Sequence, residues 1–246
     1  RRTDSVYFRR ESGLPGTGMT GVDGQAQVLG YGVGWCGTLT GRGVQRLSSE
    51  PDSLSFVLGG MPGHSKRMLA ETKRVLETMC PVNVEENFMG TRWSKLLINA
   101  SFSGMSAVLG STFGEAAQDK RSRRCVQRVI KECIDVSRAE GVQIAPVQGK
   151  DIAKLLDYHG SIKRMISSFI IPIAIKKHRL LKASMLQDLE KGKKTEVDTI
   201  NGVVANFGDK HSIDTPFNDR IIEIVHGIEN GKYKPEFANV ELFTRL

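Results

Sequence analysis

Arg92-Trp-Ser-Lys-Leu-Leu-Ile-Asn-Ala-Ser-Phe-Ser-Gly-Met-Ser-Ala-Val-Leu109 is apolar around most of its circumference when wound as a helix, as an element buried on several sides would be. Its polar members are not scattered. At roughly 100° per residue, Lys95, Asn99, Ser103 and Ser106 fall within an arc of about 80°, so a lysine, an amide and two hydroxyls line one edge. A buried ammonium without a partner is costly, and this edge is expected to face a cleft or an anionic group. The alternative is a lysine that snorkels to solvent above small polar neighbours.

From Gly90 onward the chain keeps this helical grammar, with short Gly, Pro and Asp interruptions and no hairpin signal. Helices are expected at 91–110, 115–140, 148–157, 160–178, 196–207 and 217–230. Thr195 with Asp198 can form a capping box, and Thr215-Pro216 supplies a cap and a first-turn proline. Upstream the pattern differs: eleven glycines lie between Gly13 and Gly43, separating short β-type runs. Strands are expected at 27–35, 44–48, 54–58 and 82–86, with a helix at 65–79. The boundary between the two patterns falls near residue 88, giving segments 1–88 and 89–246.

Gly16-Thr-Gly-Met-Thr-Gly21 matches the G-x-G-x-x-G spacing of a dinucleotide-binding loop. That mechanism needs a buried strand before the first glycine and a helix after the third. Glu-Ser-Gly-Leu-Pro and Val-Asp-Gly-Gln stand there instead, so a surface connection is expected.

With 246 residues, 39% hydrophobic and 25% charged, the chain holds enough apolar material for one large core or two modest ones. Its longest apolar run, Phe169 to Ile175, is interrupted by Pro172 and is far short of the roughly 20 residues of a membrane span. Cys36, Cys80, Cys125 and Cys133 are too dispersed for a metal knuckle and too few for a disulfide framework, which points to a reducing, cytoplasmic setting. The start at Arg1, running at once into Ser5-Val6-Tyr7-Phe8, reads as a chain entered in mid-domain. The five histidines have no metal-ligand spacing, and no G-x-S-x-G elbow is present.

The net charge of +8 is uneven: residues 120–182 carry fifteen basic and five acidic residues, a net +10, and the rest carry −2. The cluster Lys120, Arg121, Arg123, Arg124 lacks interleaved aromatics and a recognition-helix signature, so a solvated face is expected rather than a nucleic-acid site.

Trp93-Ser-Lys-Leu-Leu-Ile-Asn99, Ser184-Met-Leu-Gln-Asp188, Lys194-Thr-Glu-Val-Asp-Thr-Ile-Asn-Gly202 and Thr215-Pro-Phe-Asn218, in this order and spacing, closely resemble the ketopantoate reductase (2-dehydropantoate 2-reductase) family. The resemblance implies an α/β remnant, the C-terminal part of a Rossmann-type NADP-binding domain, over residues 1–88. An all-α domain of the 6-phosphogluconate-dehydrogenase C-terminal kind follows over 89–246. It implies NADPH as cofactor and a 2-oxo acid as small-molecule substrate, 2-dehydropantoate or a relative of it. A homodimer is compatible with it, and neither nucleic acid nor membrane is an expected partner. Lys95 would be the general acid that protonates the ketone oxygen, and Glu196 would accept a hydrogen bond from the substrate hydroxyl. Asn99, Ser103 and Ser184 would bind substrate, and Ser12 would lie beside the nicotinamide.

Three positions depart from the family pattern. Its amino-terminal strand and glycine fingerprint are missing, Ser12 stands where an asparagine is usual, and Ser103 stands where many relatives carry a second asparagine. A helical interaction module without catalysis is the competing expectation, and a nucleic-acid binder using residues 120–182 a weaker one.

Overall fold

The structure, a computed structural model, describes residues 29–33, 37–47, 52, 54–60, 64–147, 149–244 and 246. It divides into two compact units, the first ending at Met89 and the second running from Gly90 to Leu246.

In the first unit, β1 (Leu29–Val33) pairs antiparallel with β4 (Phe56–Gly60), and β4 pairs parallel with β5 (Val82–Val84). A separate hairpin joins β2 (Gly37–Gly41) to β3 (Val44–Leu47), with a register shift between Leu39 and Gly41. Helix α1 (Lys66–Leu76) connects β4 to β5, because parallel strands need a crossover that a tight turn cannot supply. Ser65 caps it, accepting a hydrogen bond from the Met68 N–H at 3.4 Å. The alternation of the strands puts Leu29, Phe56, Leu58 and Val82 into a small core with Met68 of the helix. Gly30 and Gly59 stand on paired strands where a Cβ would come within 2.2 and 2.3 Å of Phe88, so their bare backbone makes the seat for that ring.

The second unit is helical. A single run comprises α2 (Phe88–Ile98, whose first two residues belong to the first unit), a π-helical turn at Asn99–Ser103, and α3 (Gly104–Leu109). Then come α4 (Phe113–Gln118), α5 (Lys120–Ala139), α6 (Ile152–Leu156), α7 (Ser161–Ala174), α8 (Ser184–Glu190), α9 (Val197–Lys210) and α10 (Pro216–Glu229). A 3-10 segment, Phe237–Phe243, closes the unit. Its core gathers Trp93, Leu96, Met105, Val108, Val129, Ile130, Cys133, Val204, Ile221 and Val225, each at most 1% exposed.

Several expectations shift. The helix expected at 115–140 is two helices, because Asp119 takes an extended conformation (ψ 136°) and its carboxylate caps Arg121 and Ser122. The strand expected at 54–58 begins two residues later, and α8 and β2 were not anticipated. Thr195 forms no capping box with Asp198. Its N–H and hydroxyl donate to Glu229 Oε1 at 2.7 and 2.8 Å, and Asp198 pairs with His226. Among the described residues, Cys80, Cys125 and Cys133 are free thiols, and no helix is long and apolar enough to cross a membrane.

Candidate functional site

Lys95 stands in the last turn of α2, where a cation is favoured by the helix dipole. It is exposed although its neighbours Trp93, Leu96 and Leu97 are buried. The helix is anchored behind it. Trp93 packs on Phe207 of α9 with ring centroids 6.0 Å apart, and the Ser94 hydroxyl divides its hydrogen bond between the carbonyls of Gly90 (2.9 Å) and Ala145 (2.5 Å).

Asn99 opens the π turn. The Gly104 N–H reaches back five residues to the Asn99 carbonyl, sharing its hydrogen with Ser101. A turn of this kind takes in one residue more than an α turn, so everything after it is rotated by roughly 100° from the continuation of an ordinary helix. The single polar edge expected from uniform winding is therefore broken. Lys95 is exposed, Asn99 half-buried, Ser103 6% exposed and Ser106 wholly buried. Ser106 is committed to the fold: its hydroxyl donates to the Ser111 carbonyl at 2.6 Å and accepts from the Ala183 N–H at 3.4 Å.

That last bond matters for Ser184, the exposed first residue of α8, because it ties the start of α8 to α3. Glu196, also exposed, is the cap position of α9, and its carbonyl accepts from the N–H and hydroxyl of Thr199, each at 3.1 Å. Its carboxylate thus stands at the positive end of a fourteen-residue helix. Both α8 and α9 pack against the π turn, so the elements carrying Lys95, Asn99, Ser103, Ser184 and Glu196 converge on residues 99–103. Ser12 and the Gly16–Gly21 loop lie outside the described residues.

A buried polar chain reaches the same turn from behind. Asn201 of α9, wholly buried, donates through Nδ2 to the Ala100 carbonyl at 3.0 Å and to Asn218 Oδ1 at 2.9 Å. Asn218 Nδ2 donates to Glu132 Oε2 at 2.7 Å, as does its backbone N–H at 3.0 Å, and the Phe217 N–H donates to Glu132 Oε1 at 2.9 Å. The α10 N-terminus is thus capped by a carboxylate from α5 rather than by the expected Thr215, whose side chain makes no cap bond. Burial pushes the Glu132 carboxyl up to about 7, opposed by these donated bonds and assisted by the negative charge of Asp219.

The sequence reading assigned no role to these three residues, yet a signal was present. Glu132 falls among Val129, Cys133 and Val136 on the apolar face of α5, and Asn201 among Val197, Ile200 and Val204 on that of α9. A polar residue at a core position needs a partner.

Among the described residues, no group of three or more His, Cys, Asp or Glu side chains is placed to hold a metal ion. The site offers instead an ammonium, a carboxylate, an amide and hydroxyls, a set suited to moving a proton and holding an oxygen-rich ligand.

Residues 87–229 match the family described as ketopantoate reductase PanE/ApbA, C terminal. A 2-dehydropantoate 2-reductase of Streptococcus pyogenes is 29% identical over 146 residues, which are 59% of this chain and 42% of that protein. The chain thus matches about two fifths of the length of that relative. The crystal structure of 2-dehydropantoate 2-reductase from Methylococcus capsulatus superposes with a TM-score of 0.70 at 18% identity, covering 93% of this chain and 71% of that one. A D-mandelate dehydrogenase in complex with NADH gives 0.68 at 20% identity, covering 93% and 77%. At these identities the two structures are likenesses of fold.

Proposed function

The chain belongs to the ketopantoate reductase family, and on that premise we propose that it serves the NADPH-dependent reduction of a 2-oxo acid, 2-dehydropantoate or a relative of it, with Lys95 as proton donor. The observation that carries this reading is the exposed Lys95 on an otherwise buried helix, one turn before Asn99, on the hub where the helices of Ser184 and Glu196 meet.

Reduction of a ketone places negative charge on its oxygen as hydride arrives. An ammonium polarises the carbonyl beforehand and supplies the proton afterwards, and its stabilisation of the developing alkoxide is largest where water is excluded. Glu196 accepts a hydrogen bond from the substrate hydroxyl, while Asn99, Ser103 and Ser184 bind its polar ends. The β4–α1–β5 unit fits the use of the first unit as the C-terminal part of a nucleotide-binding domain. Nucleotides lie beyond the carboxyl ends of such parallel strands, and here β4 ends in Gly59-Gly60. NADPH, when bound, supplies the hydride, and Ser12 is the residue assigned to its nicotinamide side. The relative complexed with NADH supports a nicotinamide cofactor. Pairing of two copies belongs to the same reading.

Steady-state kinetics with NADPH and 2-dehydropantoate test it. Lys95→Ala is expected to lower kcat by about 10²- to 10⁴-fold with the KM for NADPH nearly unchanged. Near-normal turnover of that variant overturns the assignment.

A further inference from the structure

We propose that Asn201 is a positioning residue of this site: held through Asn218 by Glu132, its side-chain amide clamps the Ala100 carbonyl and fixes the π turn that presents Asn99. Its kinetic consequence rests on the reductase reading, whereas the clamp itself does not.

A π turn is the weak point of a helix. Its N–H groups reach back one residue further than in an α turn, so the backbone ladder is perturbed where Asn99 must be held. An outside donor on a carbonyl of that turn opposes relaxation to the ordinary winding. Asn201 places one there, on the residue next to Asn99, and both hydrogens of its amide group are used, on Ala100 and on Asn218.

The orientation of the amide is fixed by its neighbours. Flipping Asn201 would set its oxygen against the Ala100 carbonyl and Asn218 Oδ1, both acceptors. Asn218 cannot flip in compensation, because its own Nδ2 faces the Glu132 carboxylate. The buried Asn201 Oδ1 has no hydrogen-bond partner, so the residue is retained for its two donors at the expense of its acceptor.

Room for this approach comes from Gly104. A Cβ there would lie 3.1 Å from Asn201 Oδ1, 3.3 Å from its Nδ2 and 3.1 Å from Ile221 Cγ2. The glycine that follows the π turn and the asparagine that clamps it are therefore a matched pair.

Three variants are compared with the wild-type chain: Asn201→Ala, which removes the donors; Gly104→Ala, which leaves every hydrogen-bonding group in place but crowds the amide; and Val129→Ala, a buried truncation on α5 as a stability control. With 2-dehydropantoate and NADPH, Asn201→Ala and Gly104→Ala are expected to lower kcat about ten- to a hundredfold, since displacement of a positioned group by about 1 Å costs that order. The KM for NADPH stays within about twofold, and Val129→Ala lowers the melting temperature with kcat retained. Amide hydrogen exchange read alongside needs no activity: protection at Gly104 falls in Asn201→Ala, while that at Ile224–Gly227 of α10 is kept.

If both variants lose stability as Val129→Ala does and keep kcat, the proposal is overturned. Unchanged Gly104 protection in Asn201→Ala overturns it equally. A wild-type chain without turnover would count against the reductase reading and leave the exchange result to decide the clamp.

Discussion

Helix α7 and the α2–π–α3 run are both rich in Ile, Leu, Met and Phe, yet they use those side chains in opposite ways. In the run, Leu96, Met105 and Val108 are wholly buried, enclosed by α4, α5, α8, α9 and α10. In α7, Ile162, Phe169 and Ile173 are 73%, 67% and 72% exposed, while the inward face holds Ile171 and the hydroxyl of Ser167. Ser167 faces inward because Gln127 of α5 donates to it and to the Arg164 carbonyl. Apolar content therefore does not decide which face of a helix is buried. Polar partners on the neighbouring helix decide it, and the π turn with its amide clamp is the same rule applied inside the core.

This contrast predicts effects of very different size. Trp93→Ala, in the enclosed run, is expected to lower unfolding free energy by about 3–5 kcal/mol in urea titrations. An effect below about 1 kcal/mol would mean that the run is loosely held. Next is the titration of Glu132, whose ordinary value of 4.5 is raised in the fold to about 7. A raised carboxyl favours folding in its protonated form, so its contribution is complete below about pH 4.5 and is lost as pH rises through about 7. It amounts to at most about 3 kcal/mol. Melting temperature measured across that window should fall accordingly, and Glu132→Gln should flatten the profile. α7 contains no acidic residue, so substitutions there leave the profile unchanged. Smallest is Phe169→Ala, expected within about 0.5 kcal/mol of wild type. A loss comparable to that of Trp93→Ala would show the outward face to be covered in solution, and sedimentation velocity would then report whether a second copy covers it.

The helical character beyond residue 90 was legible because 3.6-residue periodicity persists over long segments, and the quoted motifs carried the family. What escaped has specific causes. The break at Asp119 depends on one side chain competing for two N–H groups, which periodicity does not register. β2 was hidden because Gly37-Thr-Leu-Thr-Gly41 reads as loop until its pairing with β3 is seen. The site was legible as a set of residue types, but their shared edge assumed uniform winding, and one π turn sends Ser106 into the core. Glu132 was visible as an acid on an apolar face; its partners, 85 and 86 residues downstream, were not.

The π turn also bears on how this chain tolerates changes in length. Deleting one residue between Asn99 and Ser103 would let the turn close as an ordinary α turn, with no hydrogen bond left hanging. Lys95 would stay where it is, while Met105 and Val108 swing away from the core they fill. An alignment would score such a deletion as a single gap in a helix. For the molecule it would be a change of face for everything downstream, so the residue count of this segment is constrained more tightly than the identity of most side chains in it.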